Sequence, residues 1–331
     1  MKGRRSQDAD GLENDSRFAA GRSQIKLLTS FSNKPLCVLA YCERTTNQYL
    51  MRTSVFVLVC LFTATSVFAQ FTYSGVLHQT EAELSFYEAQ SWDSLLVTEK
   101  RMTAMGYRLM ELETAKDGAD RYFWSIWVKS DLGHHMERID GWKSFIEQKR
   151  AKVKEGYVMG EVEGIALTDN EQQFYGVWYK GDTQHKVWRL DSKEGIMKKT
   201  AEMSQAHFYL VDLDVFETPS NTVQYLALYH YGSAGQRAYV VVEKDLKRFN
   251  TEILQRTKSG YRIIDFEKYR ENDETYYLAV FRKGDYEAVL LRDMDKDGFY
   301  GRLDMSEQNR FQLMDIELDK RPGKAKLTVK K

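Results

Sequence analysis

One arrangement of apolar and polar positions recurs five times along the chain. Its leading segments are Tyr107-Arg-Leu-Met-Glu111-Leu112-Glu113, Tyr157-Val-Met-Gly-Glu161-Val162-Glu163, Phe208-Tyr-Leu-Val-Asp212-Leu213-Asp214, Tyr261-Arg-Ile-Ile-Asp265-Phe266-Glu267 and Phe311-Gln-Leu-Met-Asp315-Ile316-Glu317. Each runs from an aromatic through mostly apolar residues to an acid, an apolar residue and a second acid. The leading aromatics are 50, 51, 53 and 50 residues apart. Constant spacing of this kind marks a repeat architecture. Each segment predicts a first strand. A second strand follows in four copies: Arg121–Trp127, Phe174–Trp178, Tyr225–Tyr229 and Tyr277–Phe281. One column of it is small (Ser125, Gly176, Ala227, Ala279), which predicts close approach of neighbouring sheets. Trp127, Trp178, Tyr229 and Phe281 form a regular column expected in the core.

A third strand is expected at Met136–Ile139, Val187–Leu190, Ala238–Val242 and Glu287–Leu291, followed by helices such as Gly141–Glu155 and Lys193–Gln205. Asp140, Asp191 and Asp245 stand where helix N-caps belong. At the start, Ala82–Tyr87 reads as a third strand ahead of a helix, Asp93–Met105. At the end, Phe311–Leu318 and Ala325–Val329 read as a first and second strand with no third. The fold expected is an α+β tandem repeat of five units, each a helix plus a three-stranded antiparallel sheet. If Ala82–Tyr87 completes the last sheet, the units close as a five-bladed propeller-like ring without free edges. Otherwise they form an open arc.

The first seventy residues read differently. Met51–Gln70 has a short basic start, an apolar run from Val55 to Phe62 and a small-residue end, the pattern of a signal peptide cleaved after Ala69. The run is too short to span a membrane. Residues 1–50 are polar and aperiodic, and read as a mis-assigned start or a long leader. The repeat domain is then 70–331, periplasmic or secreted, with no integral membrane span after cleavage. Cys37, Cys42 and Cys60 all precede that cut, so the remainder has no thiol chemistry and no disulfide. The full chain has 48 basic and 48 acidic residues, and removing 1–69 leaves a net charge of about −4. Neither value makes nucleic acid a partner.

Gly106-Tyr107-Arg108 with Arg121-Tyr122…Trp127, and Gly260-Tyr261-Arg262 with Tyr276-Tyr277…Phe281, resemble the bacterial tandem repeat family. Units of that kind also form the N-terminal part of fungal polyglycine hydrolases. The resemblance implies a repeat scaffold. In those hydrolases the chemistry belongs to an attached β-lactamase-like domain, and here the single Ser-x-x-Lys, Ser23–Lys26, lies ahead of the expected cleavage site.

Three candidate features remain. The first is an acidic rim: Glu111, Glu113, Glu161, Glu163, Asp212, Asp214, Asp265, Glu267, Asp315 and Glu317. Residues two apart on a strand share a face, so each pair is two adjacent carboxylates. They read either as paired with basic residues such as Arg138, Arg189 and Arg292, or as a rim for a cation or basic ligand. The second is Asp293-x-Asp295-x-Asp297-Gly-Phe299…Asp304, which matches the spacing of a calcium loop with a structural ion, or alternatively a helix N-cap with extra acids. The third is surface aromatics, Trp124 and Trp142, while His134, His135 and His185 read as exposed turn residues. No catalytic motif appears after residue 70. The function expected is an exported, non-enzymatic binding module for a glycan or protein of the cell envelope or extracellular space. A hydrolase of such polymers and a structural envelope component are the alternatives.

Overall fold

The computed structural model describes residues 71–118, 120–232 and 237–320. The leader, the expected signal segment and Ala325–Val329 lie outside the described residues.

Every helix is one turn of the repeat, and its neighbours in sequence define the unit. The first unit is β2 (Leu84–Ala89), α1 (Trp92–Ala104), β3 (Tyr107–Asp117) and β4 (Asp120–Lys129). The second is β5 (His134–Asp140), α2 (Trp142–Lys154), β6 (Tyr157–Ala166) and β7 (Gln172–Lys180). The third is β8 (His185–Leu190), α3 (Lys193–Gln205), β9 (Phe208–Glu217) and β10 (Val223–Tyr231). The fourth is β11 (Ala238–Glu243), α4 (Leu246–Lys258), β12 (Tyr261–Glu271) and β13 (Glu274–Lys283). The fifth has β14 (Ala288–Met294), α5 (Lys296–Glu307) and β15 (Phe311–Lys320), and takes its remaining strand from the other end of the chain, β1 (Phe71–Gln79).

The five sheets are β2-β4-β3, β5-β7-β6, β8-β10-β9, β11-β13-β12 and β14-β1-β15, all antiparallel. Two expectations are corrected here. The third strand of each predicted unit belongs to the next sheet, because β5 pairs with β7 and not with β4. Likewise Leu84–Ala89 belongs to the first sheet, against β4, and β1 fills the last one. The small column explains why β1 fits. Ser125, Gly176, Ala227 and Ala279 face Leu112, Val162, Leu213 and Phe266, and Gly75 of β1 faces Ile316 in the same position. A Cβ on Gly75 would lie 2.7 Å from Leu313 Cδ1 and 2.9 Å from the Asp315 carbonyl oxygen.

Each inner strand carries a β-bulge one residue before its first acid, for example between Leu109 and Glu111 and between Ile263 and Asp265. A bulge shifts the alternation of faces by one. Leu109 and Leu112 therefore join one core cluster with Leu95 and Met102 of α1, although they stand an odd three positions apart. Glu111 and Glu113 turn to the opposite face. The same shift brings Met159 with Val162, Leu210 with Leu213, Ile263 with Phe266 and Leu313 with Ile316 into single clusters.

The helices begin at Ser91, Gly141, Ser192, Asp245 and Asp295. Of the predicted caps Asp245 holds, accepting the Arg248 amide. Asp140 and Asp191 stand one residue early, and Asp140 instead accepts from Gln173. Five apolar clusters each join one sheet and its helix to a neighbouring sheet. In the fifth, Phe299, Leu313 and Tyr73 of the last sheet's unit meet Trp124 and Ile126 of the first. Trp127, Trp178, Tyr229 and Phe281 are all 0% exposed, as their column predicted.

Candidate functional site

The inner strands β3, β6, β9, β12 and β15 are sheet edges, with backbone groups that no strand pairs. On β3, β6, β9 and β12, side chains of the following sheet satisfy several of them. The Val162 amide donates to Asp212 Oδ2 (2.9 Å), Gly164 to Asp214 Oδ2 (2.8 Å), Leu213 to Asp265 Oδ2 (3.0 Å) and Phe266 to Asp315 Oδ2 (3.0 Å). The carbonyls beside the bulges are met from one column of the central strands. Tyr179 Oη donates to Leu109 O, and Arg282 Nη2 to Leu210 O. The His230 and His78 rings lie 2.6 and 2.8 Å from Met159 O and Ile263 O. The last-to-first contact is made differently: Glu88 of β2 accepts from Lys296 Nζ and Tyr300 Oη of α5 and from Trp124 Nε1.

The same seams carry all ten acids of the predicted rim. It is not a rim: apart from the half-buried Glu111, its members are only 3–8% exposed. They face one another across the inner strands. Burial raises every one of these carboxyls, and the charges of the others raise most of them further. Glu111 is raised by Asp315, Asp212 and Asp265, and Glu113 by Glu317 and Asp214. Asp212 is pushed up to about 7, and Asp315 to about 8, chiefly by burial. Backbone hydrogen bonds to these two oppose the rise. Among the described residues, no ion pair joins any of the ten to a lysine or arginine. The expected partners are elsewhere: Arg138 over the Trp92 ring, Arg189 on Gln172 Oε1, Arg292 near the Phe249 ring. One oxygen each from Glu111, Glu161 and Asp212 lies within 4.8 Å of the other two.

The calcium-spaced segment does not form a loop. Asp293 is next to last in β14 and pairs with Lys268, which also meets Asp319 at 2.8 Å. Asp295 is the N-cap of α5, accepting the Gly298 amide at 2.8 Å. Asp297 is in the first helical turn, and Phe299 and Asp304 lie within the helix, Phe299 with its ring fully buried. Helical backbone spends the Phe299 carbonyl on the helix itself, so the twelve residues do not encircle a point. The aromatics also move. Trp124 is 3% exposed, because both faces of its sheet are covered. Trp142 is half-buried, stacked 5.5 Å from Phe145, with the Arg189 guanidinium 5.1 Å from its ring centroid.

The histidines are not exposed turn residues either. The His134 side chain is 0% exposed, and His185 is buried. Burial lowers both to about 4, helped by Arg108 and His135 at the first and by Lys149 and His230 at the second. His135 is partly exposed and pairs with Glu137 at 2.7 Å. The sequence reading missed an open groove of about 840 Å³ between α1 and α2, lined by Trp92, Met136, Arg138, Ile139 and Gln148.

Residues 91–130 and 245–284 each match the family model for the polyglycine hydrolase-like structural repeat. The chain carries that repeat. Both matches start on an N-cap, Ser91 and Asp245, and run through helix, inner strand and central strand. The repeat frame is therefore cap, helix, inner strand, central strand, the order that leaves the fifth copy, starting at Asp295, to borrow β1. No match to a curated protein accompanies these two.

Proposed function

We propose that the chain is an exported, non-enzymatic binding module. Its five units close into a five-bladed, propeller-like ring, and the carboxylates on the inner strands form an axial site for a cationic ligand or the cationic part of one. One observation carries this reading: ten carboxyl groups crowd the inner strands, and among the described residues none of them forms an ion pair with a lysine or arginine. Buried like charges repel, so such a set stays protonated, shares protons or holds a cation. Burial also favours binding over hydrolysis, since nine of the ten carboxyl groups are less than a tenth exposed and reach a bulky polymer poorly. Export rests on the signal-like segment 51–69.

The test is a binding panel on the chain from residue 70 onward: divalent cations, a polyamine, oligolysine and a glycan array, beside generic esterase and peptidase substrates. The reading expects uptake of at least one cation, weakened by Glu161→Gln, and no turnover. Turnover that survives purification and disappears with that substitution would replace it with the hydrolase. Small-angle scattering tests closure: a compact profile is expected, and an elongated crescent would sink it.

A further inference from the structure

Resting on the axial reading above, we propose that Glu111, Glu161 and Asp212 hold one hard divalent cation, with calcium the ion whose flexible oxygen coordination suits them. One oxygen from each lies within 4.8 Å of the other two, so a point between them is no more than about 2.8 Å from each, and calcium takes carboxylate oxygens at about 2.3–2.6 Å in flexible geometry. Magnesium demands a near-ideal octahedron, which a set anchored on three different sheets does not readily give.

The observation beyond acidity is an unsatisfied atom. Glu161 Oε1 has no hydrogen-bond partner, although Glu161 is only 3% exposed. A buried carboxylate oxygen left alone costs free energy that a cation would recover. Asp265 Oδ1, on the same set, is also unpartnered at 6% exposure.

The sequence of the column agrees. Its first acids run Glu111, Glu161, Asp212, Asp265, Asp315. The three aspartates each bind a backbone amide of the preceding sheet. The two glutamates, one methylene longer, take no backbone amide among the described hydrogen bonds. They converge instead with Asp212, whose own carboxylate the Val162 amide holds in place. A carboxylate ligand held in orientation by an outer hydrogen bond is a regular feature of metal sites.

The experiment uses the full chain from residue 70, stripped with chelator, then titrated calorimetrically with calcium, magnesium and spermidine, with thermal melts alongside. One calcium per chain is expected, with a raised melting midpoint. Glu161→Gln and Glu111→Gln should each weaken calcium at least tenfold, while Asp295→Asn should leave it unchanged. No calcium uptake at millimolar concentration overturns the proposal, and so does an affinity unaltered in both Gln variants. If Glu161→Gln does not fold, the half-buried Glu111→Gln decides alone. Spermidine uptake lost in the Gln variants, without calcium uptake, overturns the metal site and leaves the axial cation reading standing. If neither cation binds, both fall.

Discussion

The Leu213 amide donates to Asp265 Oδ2 at 3.0 Å, from one sheet to the next and across 52 residues of sequence. Asp265 is buried and its carboxyl is raised well above the usual range, by burial first and by Asp315 and Asp212 after it. Asparagine is then close to a replacement in kind, since it keeps an acceptor oxygen and no charge. Asp265→Asn should change stability little. Asp265→Ala leaves a buried amide unpaired and should cost about 1–3 kcal/mol. Urea denaturation of the two variants separates them, and equal losses would mean that the bond contributes nothing.

Gly75 and Gly301 make opposite predictions for the same substitution. A Cβ at Gly75 meets Leu313, the Asp315 carbonyl and Phe299 within 3.1 Å, so Gly75→Ala should destabilise by about 1–3 kcal/mol. Gly301 is exposed on α5 with nothing within 4 Å, so Gly301→Ala should stabilise by about 0.5–1 kcal/mol. Thermal melts giving both the same sign would contradict the packing described at Gly75.

Deleting Phe71–Gln79 removes the strand that separates β14 from β15. The expected result is loss of a cooperative melt and aggregation from two exposed edges. A deletion variant melting near the parent temperature would show that β1 is dispensable.

Acid should weaken the protein through His134 and His185. Both have native pKa values of about 4, depressed from 6.5. The unfolded chain therefore binds protons that the native state refuses. Stability contributed by the neutral rings is full above pH 6.5 and is lost as pH falls towards 4, by at most about 3 kcal/mol each. Around His134 stand Glu99, Arg108 and His135, and around His185 stand Lys149 and His230. His134→Gln and His185→Gln keep a polar side chain without a titration. Denaturation midpoints between pH 7 and 4 should fall less in each variant than in the parent, and parallel curves would refute the assignment.

Asp295 should behave as a cap and nothing more. Asp295→Ala should cost about 1 kcal/mol, and Asp295→Asn a few tenths at most. A calcium-dependent melting shift that vanished in Asp295→Asn would restore the loop reading of that segment.

The period, the acid pairs and the aromatic column were legible because each is a spacing, and spacing survives in one dimension. The bulges were not. Met110, Gly160, Val211, Ile264 and Met314 sit in apolar runs where an extra residue leaves no mark. Without the bulges, Leu109 and Glu111 would share a face, and the burial of the acids follows from that one shift. Strand exchange was hidden because a third strand looks the same whichever sheet takes it. The clue that could have placed β1 was present in Tyr73-Ser-Gly75-Val-Leu77, which repeats the small column beside the expected cleavage site. Trp124 was misplaced because alternation marks a surface only where one face of a sheet is free, and stacked sheets have none.

The borrowed strand has a consequence for how the chain is made. Of all the described strands β1 leaves the ribosome first, and its partners leave last. Thr72 waits for Asp319, 247 residues later, and Ser74 for Asp293, 219 residues later. Until then an apolar strand stands unpartnered, and pairing over such a distance is slow. A chain cut short anywhere before β15 leaves at least one edge of that strand unpaired, so an unfinished molecule carries on its earliest described strand the mark of its own incompleteness.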